Sequence, residues 1–244
     1  MTDPSRRGAV LVLAPMRSEL RPVLRELSAR PTTVGGVGMH RSRAGRREVV
    51  VGLIGVGPGE ARRATVQLLD ALTEGGTVVD HVVVNGIAGG IGATVAVGDT
   101  VVPETVVDLA SGRCFRATPA PGHEPSGTIA TVDELILDLE RLGALADDGI
   151  DALDMETAAV ADVCEARGIP WSAVRVVSDC PREGLLDDGI MAMLRPDGTV
   201  DPLAALWHMA THPRRIPKLV RLGRDAGTAA SRAARTTVAA VARL

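Results

Sequence analysis

The chain has no tyrosine, one phenylalanine (Phe115) and two tryptophans (Trp171, Trp207), so aromatics are 1% of it. A base-stacking platform for single-stranded nucleic acid needs more. Lysine is as scarce, with Lys218 standing alone, while arginine is abundant; that imbalance speaks of codon usage more than of mechanism. The net charge of -3 lacks the basic excess of a general nucleic-acid binder. Cysteines number three, Cys114, Cys164 and Cys180, odd in count and without a CxxC or zinc spacing. A reduced, cytoplasmic setting is expected. Residues 1–8 lack an apolar signal core, and no apolar run approaches the roughly 20 residues of a membrane span. Neither nucleic acid nor a membrane span is expected among the partners.

What is present is a large hydrophobic fraction, 45% of 244 residues, enough for a sizeable core in one large or two small domains. Ala9 to Ala14 predicts a first strand, followed by a helix to about Ala29 with Ser18 as its cap. Met39 to Arg43 and Glu48 to Ile54 predict two more strands. A glycine turn, Gly55-Val56-Gly57-Pro58-Gly59, leads into a helix over Glu60 to Leu72. His81 to Asn85 predicts a buried strand ending in a second glycine turn, Gly86 to Gly90. Thr100 to Asp108 is rich in β-branched residues. Ser111 to Gly127 reads as a loop, Thr128 to Ala130 as a short strand and Val132 to Leu142 as a helix. Residues 158–167 predict another helix, and Trp171 to Val177 a buried strand. Residues 181–201 read as irregular, and 202–244 as arginine-rich helices broken at Pro213 and Pro217. No repeat or linker divides the chain. Strands alternating with helices imply a single α/β domain over 1–244, three-layered α/β/α with a mixed, twisted central sheet; residues 186–244 form its helical C-terminal region.

Three carboxylates follow three different predicted strands: Glu19, Glu156 and Asp179. In open α/β sheets the strand ends carry the ligand site. Singly, each acid is ordinary: Glu19 a solvated or capping residue, Glu156 a partner of the helix dipole, Asp179 an N-cap. The glycine turns are neither a Walker loop nor a GxGxxG fingerprint, so a dinucleotide oxidoreductase is poorly supported. Arg175 shares a strand with Asp179 and can pair with Asp154 or Glu156, or position a nucleophile. The histidines show no metal-ligand spacing.

Taken together, Met16-Arg17-Ser18-Glu19, Gly55-Val56-Gly57, Gly86-Ile87-Ala88-Gly89-Gly90 with Val97-Gly98-Asp99, Asp154-Met155-Glu156 and Val177-Ser178-Asp179 resemble the nucleoside phosphorylase and nucleosidase superfamily. The resemblance covers roughly residues 9–185. Its closest branch is methylthioadenosine/S-adenosylhomocysteine nucleosidase, whereas Leu194-Arg195-Pro196-Asp197-Gly198 and the tail beyond it are similar to the hopanoid-associated phosphorylases. The resemblance implies that Asp179 protonates the purine, with Ser178 orienting it; such an acid has to hold its proton near neutral pH, which burial favours. It implies that Glu156 accepts hydrogen bonds from ribose hydroxyls beside Asp154, that Met155 packs on the sugar, and that Ile87, Ala88 and Gly89 approach the nucleoside. Glu19 matches the residue that activates water, and Arg175 helps to place that water.

The sequence departs from the hydrolases where Leu135 and Ile136 stand in place of an aromatic over the base, at Ile87 in place of a hydroxyl residue, and over residues 108–127. The expected reaction is therefore cleavage of the N-glycosidic bond of a purine, adenine-containing nucleoside by water. The alternatives are phosphorolysis, with inorganic phosphate as co-substrate and Arg17 and the glycine turns as its candidate ligands, and a non-catalytic nucleoside-binding protein. No metal or organic cofactor is implied. The partner is a small-molecule nucleoside, and a homo-oligomer is expected.

Overall fold

The computed structural model describes residues 8–180 and 216–244. Among these residues an 11-stranded sheet runs in the order β2 (Arg30–Val34), β3 (Val37–Ala44), β4 (Arg47–Leu53), β1 (Ala9–Ala14), β5 (Val79–Gly90), β10 (Ala152–Asp154), β9 (Thr128–Thr131), β7 (Thr105–Asp108) and β8 (Cys114–Arg116), with β11 (Trp171–Asp179) against β5 and the short β6 (Thr100–Val101) against β11. Its centre is β1 (Ala9–Ala14), parallel to β4 (Arg47–Leu53) on one side and to β5 (Val79–Gly90) on the other. All six residues of β1 are buried, as expected of a parallel strand covered on both faces. β11 (Trp171–Asp179) lies parallel to β5 along most of its length and is buried at every residue. β2 (Arg30–Val34) and β3 (Val37–Ala44) complete an antiparallel edge.

Strand alternation sends successive side chains to opposite faces. Leu11 and Leu13 pack in one cluster with α2 (Pro58–Glu74) and α4 (Thr157–Ala166). Val10 and Val12 pack in another with α1 (Arg17–Glu26) and the long α5 (Ile216–Val241). The result is the expected three-layer α/β/α sandwich around a mixed sheet. A smaller apolar cluster under α3 (Leu139–Asp147) includes Ile136, Leu142 and Ile150.

Several sequence expectations shift. The second glycine turn is not a turn: β5 continues through Gly90, pairing with β11 up to Gly89 and antiparallel with β10 (Ala152–Asp154) at Gly89 and Gly90. Ladder hydrogen bonds use only the backbone, so missing side chains do not end the strand. The helix expected at 132–142 starts instead at Leu139, because the Asp138 side chain caps the Glu140 and Arg141 amides. Met16, not Ser18, stands at the N-cap of α1. The run from Thr100 to Asp108 splits at Pro103, which lacks an N–H, into β6 (Thr100–Val101) and β7 (Thr105–Asp108). The loop at 111–127 contains β8 (Cys114–Arg116), and β2 had no forecast. Pro217 does not break the tail: it is the second residue of α5, where a missing N–H is harmless. The expectations at Pro213 and for 181–201 lie outside the described residues.

Candidate active site

Five ionisable side chains meet at the carboxyl ends of β1, β5, β10 and β11. Glu19, Asp154, Glu156, Arg175 and Asp179 are 1%, 6%, 5%, 0% and 9% exposed, too little for bulk water to solvate their charges. Each is delivered by a local feature of the chain.

Glu19 sits in the first turn of α1, directly after β1. Its Oε2 accepts the Met16 N–H at 2.8 Å, and its Oε1 accepts the Ile87 N–H at 2.8 Å. The second bond fills a gap in the sheet. β1 accompanies β5 to Val84 and β10 joins at Gly89, leaving the intervening stretch of that edge to the carboxylate. Gly86 makes the approach possible: a Cβ there would run into both the Arg175 guanidinium and the Glu19 carboxylate. Burial raises the Glu19 pKa, against the lowering pull of Arg175.

Arg175 projects from β11 between the carboxylates. It pairs with Asp154 at 2.6 Å and Glu156 at 3.4 Å, and donates to the Thr157 hydroxyl at 3.0 Å and 3.3 Å. Burial opposes its charge, yet Asp154, Glu156 and Glu19 together raise its pKa. Asp154 commits its carboxylate to protein groups: Arg175, the Thr131 hydroxyl at 2.7 Å, the Thr157 hydroxyl, and the Thr157 N–H at 3.3 Å. It therefore holds Arg175 and starts α4.

Glu156 is the N-cap residue of α4, but its side chain does not cap that helix. Its Oε1 reaches across to the Gly57 N–H at 3.0 Å, at the start of α2. Gly57 takes φ 90°, a conformation that favours glycine, and thereby points its amide into the cleft. Burial, reinforced by Asp154 and Glu19 and opposed by Arg175, raises the Glu156 pKa to about 8.

Asp179 ends β11. The pairing jumps from Val177↔Ala88 to Asp179↔Gly89, so Ser178 is the extra residue of a bulge, a device that re-aims side chains at strand ends. The Ser178 hydroxyl donates to Asp179 Oδ1 at 2.6 Å. Oδ2 lies over Gly89, 3.8 Å from where a Cβ would stand.

The structure thus gathers Glu19, Ile87, Ala88, Gly89, Asp154, Glu156, Arg175, Ser178 and Asp179. Met155 is half-buried against the cluster under α3. Leu135 is 37% exposed, whereas Ile136 is 4% exposed and packed into that cluster, so Leu135 alone of the two is left to cover a base. Arg17 lies exposed on α1. Sequence reasoning missed Thr131 and Thr157, which tie Asp154 in place. Thr131 stands opposite Asp154 in the β9–β10 register, with β9 spanning Thr128–Thr131. It also missed Asn85 and Thr237: the Thr237 hydroxyl on α5 donates to Asn85 Oδ1 at 2.9 Å, one residue before Gly86. No group of three or more metal-ligating side chains occurs among the described residues.

The sequence profile of the phosphorylase superfamily matches residues 9–125 and 112–192, which include every group of this cluster. The chain belongs to the phosphorylase superfamily. Among its relatives is the 5'-methylthioadenosine/S-adenosylhomocysteine nucleosidase of Bacillus thuringiensis, 27% identical over 202 residues, covering 70% of this chain and 85% of that one. The S-adenosylhomocysteine nucleosidase of Streptococcus pyogenes, solved with 5-methylthiotubericidin, superposes with a TM-score of 0.72 at 18% identity, over 99% of each chain. The futalosine hydrolase of Helicobacter pylori superposes with a TM-score of 0.69 at 19% identity, over 97% of this chain and 98% of that one. The superfamily's fold is therefore also that of this chain.

Proposed function

We propose that this protein is a nucleosidase: it cleaves the N-glycosidic bond of an adenine-containing purine nucleoside, such as methylthioadenosine or S-adenosylhomocysteine, with water as the attacking group. The observation that carries the reading is the Ser178–Asp179 pair, bonded at 2.6 Å on the bulge that closes β11, opposite the glycine backbone of β5.

Breaking the bond leaves negative charge on the base and positive charge on the sugar. Asp179, oriented by Ser178, donates its proton to the purine's five-membered ring, and the bonding electron pair leaves with the base. Glu156 holds the ribose hydroxyls through its carboxyl group. Water adds to the anomeric carbon, and Glu19 accepts the proton that the water loses. Arg175, locked by Asp154, fixes the direction of approach. The products are the free base and the sugar.

Water is favoured over phosphate by how Arg175 and the Gly57 amide are used, whereas Arg17, exposed on α1, remains a candidate phosphate ligand. Arg175 is already matched by Asp154 and Glu156. The Gly57 N–H, the natural anion-binding group at the α2 terminus, is taken by Glu156. Among the described residues, neither is left for a phosphate dianion.

The test is to incubate the protein with methylthioadenosine, S-adenosylhomocysteine, adenosine and inosine, with and without phosphate. Free base released at a rate independent of phosphate is expected. Base release that requires phosphate, or no release from any of the four, overturns the reading.

A further inference from the structure

The arginines are partnered on one face of the sandwich and not on the other. On α2, α3, α4, the segment just after α4 and the β7–β8 hairpin, every arginine has a carboxylate partner. Arg62 and Arg113 share Asp162, Arg63 pairs with Glu60, Arg116 with Glu104, Arg141 with Glu134 and Arg167 with Asp70. In the α1–α5 layer the pattern reverses. Arg17, Arg21, Arg25, Arg224, Arg232 and Arg235 are all exposed, and none has an ion-pair partner among the described residues. Arg221 pairs with Asp225.

Helical spacing lines these arginines up. Positions 17, 21 and 25 are four apart and form one stripe on the outside of α1. Positions 224, 228, 232 and 235 form a second stripe on α5, with Thr228 in the one gap. The two helices pack side by side over the sheet, joined through Leu20, Val23, Ala234 and Val238. Glu26 and Asp225 are the exposed or half-exposed acids that the described side chains of these helices set against the stripes. Among the described residues, a chain whose net charge is -3 thus carries a basic face.

We infer that the outer face of the α1–α5 layer docks on an anionic lipid bilayer. The charge it presents is complementary to acidic headgroups, and each arginine close to such a surface adds to the attraction. The face is a pair of adjacent helices, one of 26 residues or about 39 Å, which suits a plane better than a groove. A second copy docking here by two-fold symmetry would bring like stripes together, so self-association through this face is disfavoured. Aromatics, the usual base-stacking contacts of a nucleic-acid surface, are 1% of the chain. Val220, 64% exposed at the start of α5, offers an apolar contact at the margin.

The experiment is co-sedimentation of the full chain with vesicles of phosphatidylglycerol and phosphatidylcholine in equal parts, against phosphatidylcholine alone. It is run at about 0.1 M salt, where the Debye length is about 10 Å, and again at high salt. Sedimentation with the anionic vesicles only, abolished by high salt, is expected. The variant Arg21→Glu/Arg25→Glu/Arg235→Glu should lose at least about tenfold in partitioning while its base-release rate and melting temperature stay unchanged. Should that variant misfold, the Gln triple variant is measured in its place. No anionic-vesicle binding, equal binding to neutral vesicles, binding undiminished in the variant, or tighter binding to duplex DNA at matched phosphate overturns the inference.

Discussion

Glu19 and Ile87 are joined across the sheet's one-sided gap: a carboxylate oxygen from the first helix accepts the backbone N–H that the β5 edge presents there, at 2.8 Å. Glu19's other oxygen accepts the Met16 N–H. A glutamine must turn its NH2 toward one of these donors. Glu19→Gln should therefore lose about 1–3 kcal/mol of stability from the unpaired buried group. It should also lose about 10²- to 10⁴-fold in base release, since no group remains to take the water's proton. Calorimetry and steady-state kinetics read the two effects separately, and an unchanged rate would exclude Glu19 as the base.

Asp179→Asn retains shape and the Ser178 hydrogen bond but has no acidic proton. The expected result is a rate lower by about 10²- to 10⁴-fold with nucleoside affinity largely preserved, checked by titration calorimetry with the uncleaved substrate. A loss of affinity without loss of turnover would assign Asp179 to binding alone.

Glu156 predicts how stability depends on pH. Its pKa rises on folding from 4.5 to about 8, so its contribution is complete below about 4.5 and is lost as pH climbs through about 8. Glu19, also raised, acts in the same direction. His81 acts oppositely. Burial lowers its pKa from 6.5 to about 4, so its contribution is complete above about 6.5 and is lost as pH falls through about 4. The Glu156 contribution to the melting temperature of the free protein should decline as pH rises from about 4.5 to about 8. Glu156→Gln should flatten that decline, so that the variant gains on the native protein across that window and no further above it. Parallel curves would remove Glu156 as the source.

Gly86→Ala tests the close approach directly. Gly86 does not adopt a positive φ, so alanine costs nothing in backbone conformation, and its methyl acts only by displacing Arg175 and Glu19. Turnover should fall at least about 10²-fold, in line with what misplaced catalytic groups cost, in a protein that still folds. A crystal structure of the variant should show the two side chains moved.

Thr237→Val removes the hydroxyl that satisfies Asn85 Oδ1. Asn85 is fully buried, and its amide nitrogen lacks a partner among the described residues. The expected cost is about 1–3 kcal/mol, read as a melting-temperature drop of about 2–4 °C per kcal/mol. An unchanged melting point would show that the pair contributes nothing.

What could be read in the sequence was whatever repeats a local rule. The apolar runs of β1 and β11 announced buried strands, and the glycine turn at Gly55 to Gly59 announced a helix after it, expected from Glu60 and starting at Pro58. The acids Glu19, Glu156 and Asp179 stood out because each follows a strand. What could not be read depends on partners distant in sequence. Gly86 to Gly90 look like a turn, and only the strands on either side make them part of β5. Residues 132–142 carry helical spacing, but the Val132 N–H is bonded to the Asp154 carbonyl and the stretch before Asp138 packs into the cluster around Ile136. Asp154 reads like a ligand-facing acid beside Glu156; only the register to Thr131 shows that it faces inward. The Thr237–Asn85 bond joins residues 152 positions apart and leaves no local signal at all.

That bond also predicts an order in time. Contacts of long sequence separation close the largest loops and carry the highest closure entropy. The strand segment that Glu19 and Arg175 both touch is backed by a helix from the far end of the chain. A folding molecule can therefore assemble its central sheet first and gain a working cleft last, when α5 settles against β5. Catalytic competence should lag behind secondary structure in a refolding experiment. An inhibitor directed at the docking of α5 would act on the newly made protein and leave the finished enzyme untouched.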